Sequence, residues 1–290
     1  PALTFLGRRL GGMFRRLNPY RRTVVATNLR LCFPELDQET LGKLNKQVFS
    51  SLGISIMETA AGLWAPDRYF SKLGTIDGLE HLAAASQAGN GVILLSGHFC
   101  SLDFAGRVLM RGTPACFTYQ EFRNPVFNKA AIKARTGNCR KLIHRHDLRG
   151  LIRALKAGDT VWYAPDQDQG IKHSVFAPLF GIQASTLTAT TRLAHLTKAA
   201  VMPFIIERLP DNRGYALKIE PPLEDFPGTD IETDARRFNE LLEKQIRAHP
   251  EQYLWLHRRF KTRPEGEAKL YPPKPRRVKR LERLQRAGKI

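Results

Sequence analysis

The sequence predicts an α/β domain with a central, mostly parallel or mixed sheet flanked by helices and a helical N-terminal part. Three observations carry this prediction. Short apolar runs at residues 92–95, 160–164 and 201–206 have the length of strands covered on both faces. Segments with apolar residues at helical spacing lie before and between them, so strands and helices alternate along the chain. The third is bulk: 290 residues that are 42% hydrophobic suffice to bury a sizeable core. No internal repeat is visible.

In chain order, residues 3–17 form a basic amphipathic pattern. A 100° step places Leu6, Leu10, Met13, Phe14 and Leu17 in one sector and Arg8, Arg9, Arg15 and Arg16 in the opposing one. Such a helix suits an anionic bilayer surface and equally suits packing on a domain with a solvated charged face, although Gly7, Gly11 and Gly12 weaken it. A second helix is expected over 38–64, where Leu41, Leu44, Val48, Leu52 and Ile56 recur before Pro66 stops it. After a turn at Gly89 to Gly91 comes the first strand, then a helix over 101–110. Asp147 is expected to cap a helix carrying Leu148, Leu151, Ile152 and Leu155, which Gly158 ends. The strand at 160–164, a helix over 187–198 and the strand at 201–206 follow. The end of the chain, with Pro272, Pro273 and Pro275 among basic residues, reads as a tail in which 278–287 has the pattern of a short basic helix. These limits divide the chain into a membrane-proximal segment over 1–24, a principal domain over 25–267 and a basic tail over 268–290.

The formal charge of +19 is concentrated at the ends. The first thirty residues carry seven arginines and no acid, and the last twenty carry eight basic residues against Glu282. Roughly three quarters of the excess is therefore terminal, a pattern suited to nucleic acid, anionic lipid or an acidic protein. No run approaches the eighteen or so apolar residues of a spanning helix. Because the chain starts at Pro1, a hydrophobic anchor preceding it is expected. Cys32, Cys100, Cys116 and Cys139 show no metal-ligand spacing and are expected to be free thiols in a reducing compartment.

Three clusters carry candidate chemistry. In Ser96-Gly97-His98-Phe99-Cys100-Ser101-Leu102-Asp103 a histidine leaves a buried strand and an acid sits in the next helix's first turn. A carboxylate accepting the Nδ1 proton fixes the tautomer and leaves Nε2 free to take a proton from a substrate hydroxyl, and Asp103 is in reach of His98 for that role. Gly97 would let backbone approach a ligand. The same residues also fit a structural reading, with Asp103 complementing the helix dipole. The second cluster, Asp166-Gln167-Asp168, follows another apolar strand; if the two strands are parallel, it shares one sheet edge with His98. These acids fit a cleft wall, a divalent-metal site or a polar turn. In the third, Trp255-Leu256-His257-Arg258-Arg259-Phe260-Lys261-Thr262-Arg263, the cations fit phosphate recognition or a solvated basic loop.

Together with Asn28-Leu29-Arg30-Leu31-Cys32-Phe33-Pro34-Glu35 and Asn124-Pro125-Val126-Phe127, these blocks resemble the bacterial lipid A late acyltransferases, lauroyl and myristoyl transferases within the glycerophosphate acyltransferase superfamily. The similarity spans roughly residues 20 to 267. It implies transfer of a fatty acyl group from acyl carrier protein to a hydroxyl of an acylated, phosphorylated glucosamine disaccharide. It also implies no metal or other cofactor, no nucleic-acid partner, and an anionic membrane at the cytoplasmic face of the inner membrane of a Gram-negative bacterium. Carried over residue by residue, His98 would be the general base and Asp103 its orienting partner. Arg135, Asp166 and Asp168 would line the cleft, and Arg258 and Arg259 would face glycolipid phosphate. Arg135, or backbone amides near Gly97, would stabilise the oxyanion. The rival readings are a metal-dependent glycosyltransferase using Asp166 and Asp168, and a basic nucleic-acid-binding protein, which would have no use for the histidine and acid pair.

Overall fold

A computed structural model describes residues 2–70, 73–122, 124–137 and 139–273. The expected basic helix at 278–287 lies outside these residues. The elements run α1 (Ala2–Leu17), α2 (Pro19–Cys32), α3 (Gln38–Trp64), α4 (Asp67–Phe70), β1 (Gly74–Asp77), α5 (Leu79–Gln87) and β2 (Val92–Leu95). There follow α6 (Leu102–Gly112), β3 (Ala115–Tyr119), α7 (Pro125–Thr136), β4 (Lys141–His144), α8 (Leu148–Lys156) and β5 (Thr160–Tyr163). The chain continues with β6 (Ser174–Leu179), β7 (Ile182–Leu187), α9 (Ala189–Thr197), β8 (Ala200–Arg208), β9 (Tyr215–Ile219) and α10 (Ile231–Ala248).

Seven strands form one mixed sheet in the order β1-β9-β8-β2-β5-β3-β4, and β6 and β7 form a separate hairpin. Every pairing in the large sheet is parallel except β8 with β9. The wholly apolar β2 lies between β8 and β5 and is buried along its length, as its composition requires. Its side chains alternate between the faces: Ile93 and Leu95 join a core with α2, α3, α8 and α10, while Val92 and Leu94 join one with α5 and α6. The sheet is thus the middle layer of three.

The expected helix at 38–64 forms with those limits, with Asp37 as its cap. Asp147 caps α8 by accepting from the Gly150 amide at 2.8 Å, and Gly158 follows it at φ +82°. The helix expected from 187 begins only at Ala189, because Leu187 is the last residue of the β6–β7 hairpin. The N-terminal helix packs on α3 through its glycines. A Cβ on Gly11 would lie 1.9 Å from the Phe49 carbonyl oxygen, and one on Gly53 2.0 Å from that of Gly7. Gly7 and Gly11, which lower helix propensity, are therefore the contact itself. That docking leaves Leu6, Met13 and Leu17 more than half exposed beside the arginines. Among the described residues no helix is long and apolar enough to cross a membrane, and all four cysteines are unpaired.

Candidate active site

The parallel sheet brings the first two clusters together. Leu95 of β2 is paired with Tyr163 of β5, and His98 and Asp166 each lie three residues beyond that pair. They meet at the carboxyl edge of the sheet, where open α/β folds place their ligands. The His98 Nδ1 lies 2.5 Å from Asp166 Oδ1, and the His98 amide donates to Oδ2 at 3.0 Å. The Tyr253 hydroxyl also donates to Oδ2, at 2.8 Å. Asp166 is 1% exposed, and the His98 ring faces the cleft.

The electrostatics follow from that burial. Desolvation opposes the charge on both groups, but the short ion pair outweighs it. The Asp166 carboxyl is held far below the ordinary carboxylate range, and His98 above the ordinary histidine value. With a carboxylate on Nδ1, that nitrogen carries the proton, and Nε2 is left as the basic position toward the cleft.

This arrangement corrects the expected pairing of His98 with Asp103. Asp103 projects from α6 and takes two bonds on Oδ1 from Arg135, from Nε at 2.9 Å and from a terminal nitrogen at 2.7 Å. Arg135, near the end of α7, is also stacked over Phe122, 5.2 Å from the ring centre. The helix that carries it starts at Asn124, whose side chain caps it, and Pro125. His98, Asp103 and Arg135 all line one cavity of about 1020 Å³, at the upper end of ligand-pocket sizes. One part of its wall is apolar, including Leu142, Leu151, Trp162, Leu187 and Leu193.

Other sequence expectations change in the same way. Gly97 is small because α10 crosses there: a Cβ would lie 2.5 Å from a Leu242 methyl. The amides of His98, Phe99 and Cys100 are spent on Asp166, the Gly97 carbonyl and the Gln252 carbonyl. These three are therefore not free for an oxyanion, and Arg135 is an expected candidate that lines the cavity. Asp166 and Asp168 do not form the cleft wall; Pro165, Gln167 and Gln169 do, with the two acids buried behind them. Asp168 accepts from the Thr262 amide and hydroxyl, both at 2.8 Å, and from the Gly170 amide at 2.9 Å. With these donors on Asp168, and His98 and Tyr253 on Asp166, the two carboxylates do not share a metal position. Among the described residues no group of three His, Cys, Asp or Glu is arranged for a metal ion.

The basic block is also scaffold. Arg259 is 1% exposed and donates to the Ser185 carbonyl at 2.7 Å, with longer bonds to Thr186 and Asn239. It ties the hairpin to α10, and this burial corrects the expectation that it faces glycolipid phosphate. Arg258 is half-buried and stands outside the cavity wall. Lys261 donates to the Asp168 carbonyl at 2.9 Å. Burial pushes His257 down to about 4, so its neutral Nε2 can accept from the Asp168 amide at 2.9 Å. Asn28 clasps this block by donating to the carbonyls of Trp255 and His257.

Residues that sequence reasoning passed over hold the His98 loop from behind. Ser101 sits at φ +81°, a backbone conformation rare for a residue other than glycine. Its hydroxyl donates to Glu58 of α3 at 2.6 Å, and Arg208 at the end of β8 binds the same carboxylate at 2.5 and 2.8 Å. Only tertiary pairing identifies these partners, because α3, β8 and the loop are far apart in sequence.

The fold and the site define a class: an α/β enzyme with a carboxylate-held histidine at the carboxyl edge of its sheet, beside a cavity suited to a substrate with a long apolar part. The family described as "Bacterial lipid A biosynthesis acyltransferase" matches residues 1–262. The chain is 40% identical to the lipid A biosynthesis palmitoleoyltransferase of Escherichia coli (strain K12), over 93% of this chain and 89% of that protein. It is 39% identical, with the same coverage, to the lauroyltransferase of that organism, and 29% identical to its myristoyltransferase over 92% of this chain and 83% of that one. A solved 1-acyl-sn-glycerophosphate (LPA) acyltransferase, PlsC, from Thermotoga maritima is similar at 16% identity and a TM-score of 0.40, covering 80% of this chain and 98% of that one, too distant to bear on the fold. The chain belongs to the bacterial lipid A biosynthesis acyltransferases. It is an acyltransferase with a lipid A-type glycolipid as acceptor.

Proposed function

We propose that this acyltransferase moves a fatty acyl chain from the thioester of acyl carrier protein to a hydroxyl of an acylated, phosphorylated glucosamine disaccharide, a late step of lipid A synthesis. The observation that carries the mechanism is the 2.5 Å contact between His98 and the buried Asp166 carboxylate. His98 Nε2 takes the proton of the acceptor hydroxyl as its oxygen attacks the thioester carbonyl carbon. The new C–O bond forms, the C–S bond breaks, and the proton passes to the departing thiolate. General-base assistance of this kind contributes roughly 10² to 10⁴ in rate. Arg135, held by Asp103, faces the negative charge that develops on the carbonyl oxygen, and the apolar wall receives the acyl chain.

The reaction takes place at the surface of an anionic membrane, the cytoplasmic face of the inner membrane. Supporting this are the exposed Leu6, Met13 and Leu17 beside Arg8, Arg9 and Arg16 on α1. A second exposed apolar group, Trp64, Phe122 and Phe127, is joined by ring contacts, and Arg135 stacks on its Phe122. The donor assignment is tested by offering the protein one phosphorylated lipid A precursor with the same acyl group on carrier protein or on coenzyme A. Mass spectrometry should find faster acylation from carrier protein; equal or faster use of the coenzyme A thioester refutes that donor. The membrane assignment is tested by sedimentation with vesicles of anionic or neutral lipid, and equal recovery with both refutes it.

A further inference from the structure

Arg259 is buried in the scaffold and Arg258 stands outside the cavity wall, whereas three cations besides Arg107 and Arg135 line the cavity. Arg145 follows β4, Lys172 lies between β5 and β6, and Arg192 is on α9. All three line the cavity and are exposed, and His144, His146 and His173 line it as well. Among the described residues none of the three cations has a carboxylate partner. Arg145 donates to the neutral Gln120 Oε1 at 2.6 Å, and the side chains of Lys172 and Arg192 have no partner among the described residues. Two carboxylates line the cavity. Asp103 is committed to Arg135, and Asp147 accepts from the Gly150 amide as the cap of α8. The cavity therefore combines an apolar wall with Arg145, Lys172 and Arg192 against the single charge of Asp147, a net positive lining, and concave low-dielectric walls concentrate such a field.

From this arrangement we infer that Arg145, Lys172 and Arg192 form a phosphate-ester site for a substrate whose acyl chain lies against the apolar wall. The inference rests on the acyl-transfer reading and assigns one of its substrates a second anchor. β4 is three strands from β2 in the sheet, so these cations begin about 14 Å from the strand that delivers His98. An amphiphile held at both points has its phosphate fixed at the cations and its reacting group at the histidine. Two reactants carry phosphate esters, the acceptor disaccharide and the prosthetic arm of the donor, and both present the same chemistry to guanidinium and ammonium groups.

The test uses the whole protein and the variants Arg145→Gln, Lys172→Gln and Arg192→Gln, singly and combined. Circular dichroism and thermal midpoint establish that each folds, and the single variants suffice if the triple does not. Two substrate pairs are compared: the precursor with and without its phosphates, and acyl-phosphopantetheine against acyl-pantetheine. The quantity read is the ratio of kcat/KM within each pair. The native protein should prefer the phosphorylated member of one pair by roughly tenfold or more for each contact, and the variants should shrink that ratio. The pair whose ratio shrinks names the phosphate: acceptor in the first case, donor arm in the second. Native ratios near one, or ratios in the variants equal to the native ones, overturn the site. Equilibrium binding of the two precursors in detergent micelles, read by tryptophan fluorescence with Trp162 in the cavity wall, separates this from the underlying reading. A native protein that binds the phosphorylated precursor through these cations but transfers no acyl group keeps the site and removes the reaction. One that acylates without any phosphate preference does the reverse.

Discussion

Replacing Asp166 by Asn is the sharpest perturbation of the site. Its Oδ2 accepts two donors, the His98 amide at 3.0 Å and the Tyr253 hydroxyl at 2.8 Å, so an amide oxygen is pinned there. The amide nitrogen then occupies the position 2.5 Å from Nδ1. Facing a donor, Nδ1 must offer its lone pair, and the ring proton moves to Nε2, where the base is needed. The variant keeps the shape of the site but carries the wrong tautomer. The same change in a serine-histidine-aspartate triad lowers kcat about 10⁴-fold, or about 5 kcal/mol of barrier, and a loss of that order is expected here. Initial rates at saturating substrate measure it, with circular dichroism to establish the fold. An Asp166→Asn enzyme within about tenfold of native kcat refutes the reasoning.

The remaining predictions concern neighbouring groups. Arg135→Gln and Asp103→Asn should each lower kcat by roughly 10² to 10³, the range for losing one oxyanion donor, and the double variant should lose little more than either alone; full additivity in rate assays would separate the two residues. In the native enzyme kcat/KM should rise with pH through an apparent pKa above the ordinary 6.5 of histidine, because Asp166 favours protonated His98 and only the neutral ring is a base. Removing that charge in Asp166→Asn leaves burial as the dominant influence, so the residual activity should show its acid limb at lower pH; an unmoved limb in the pH–rate profile assigns the titration elsewhere. Arg259→Met should destabilise the fold by about 2 to 4 kcal/mol, since it orphans buried acceptors at Ser185 and Asn239, and should leave the KM for phosphorylated acceptor unchanged. Denaturant titration and acceptor kinetics distinguish that from a phosphate-binding role, which would raise KM.

The elements legible in the sequence were those whose signal is local. The apolar run of β2 announced a buried central strand, Asp147 sits where a cap belongs, and the α3 periodicity ends where Pro66 must stop it. The shared sheet edge of His98 and Asp166 was also readable, given parallel strands. The identity of the partner was not, because one turn of helix and one strand spacing both bring an acid within reach of His98. The register of β2 against β5 decides in favour of Asp166, and register is a tertiary property. The basic block from Trp255 to Arg263 misled for a related reason. Composition shows cations, but only packing shows that Arg259 is enclosed by β7 and α10 while Arg145 and Arg192 face the cavity. The glycines of α1 read as weakness in isolation and become a contact surface once α3 is beside them.

The most direct test of the account is a single-turnover acylation of a phosphorylated lipid A precursor by acyl carrier protein thioester, comparing the native protein with His98→Ala and following the product by mass spectrometry. The account predicts the mass gain of one acyl chain with the native protein, unchanged by chelator, and loss of that product in the variant by at least 10² in rate. A His98→Ala protein that acylates the precursor at the native rate would contradict it.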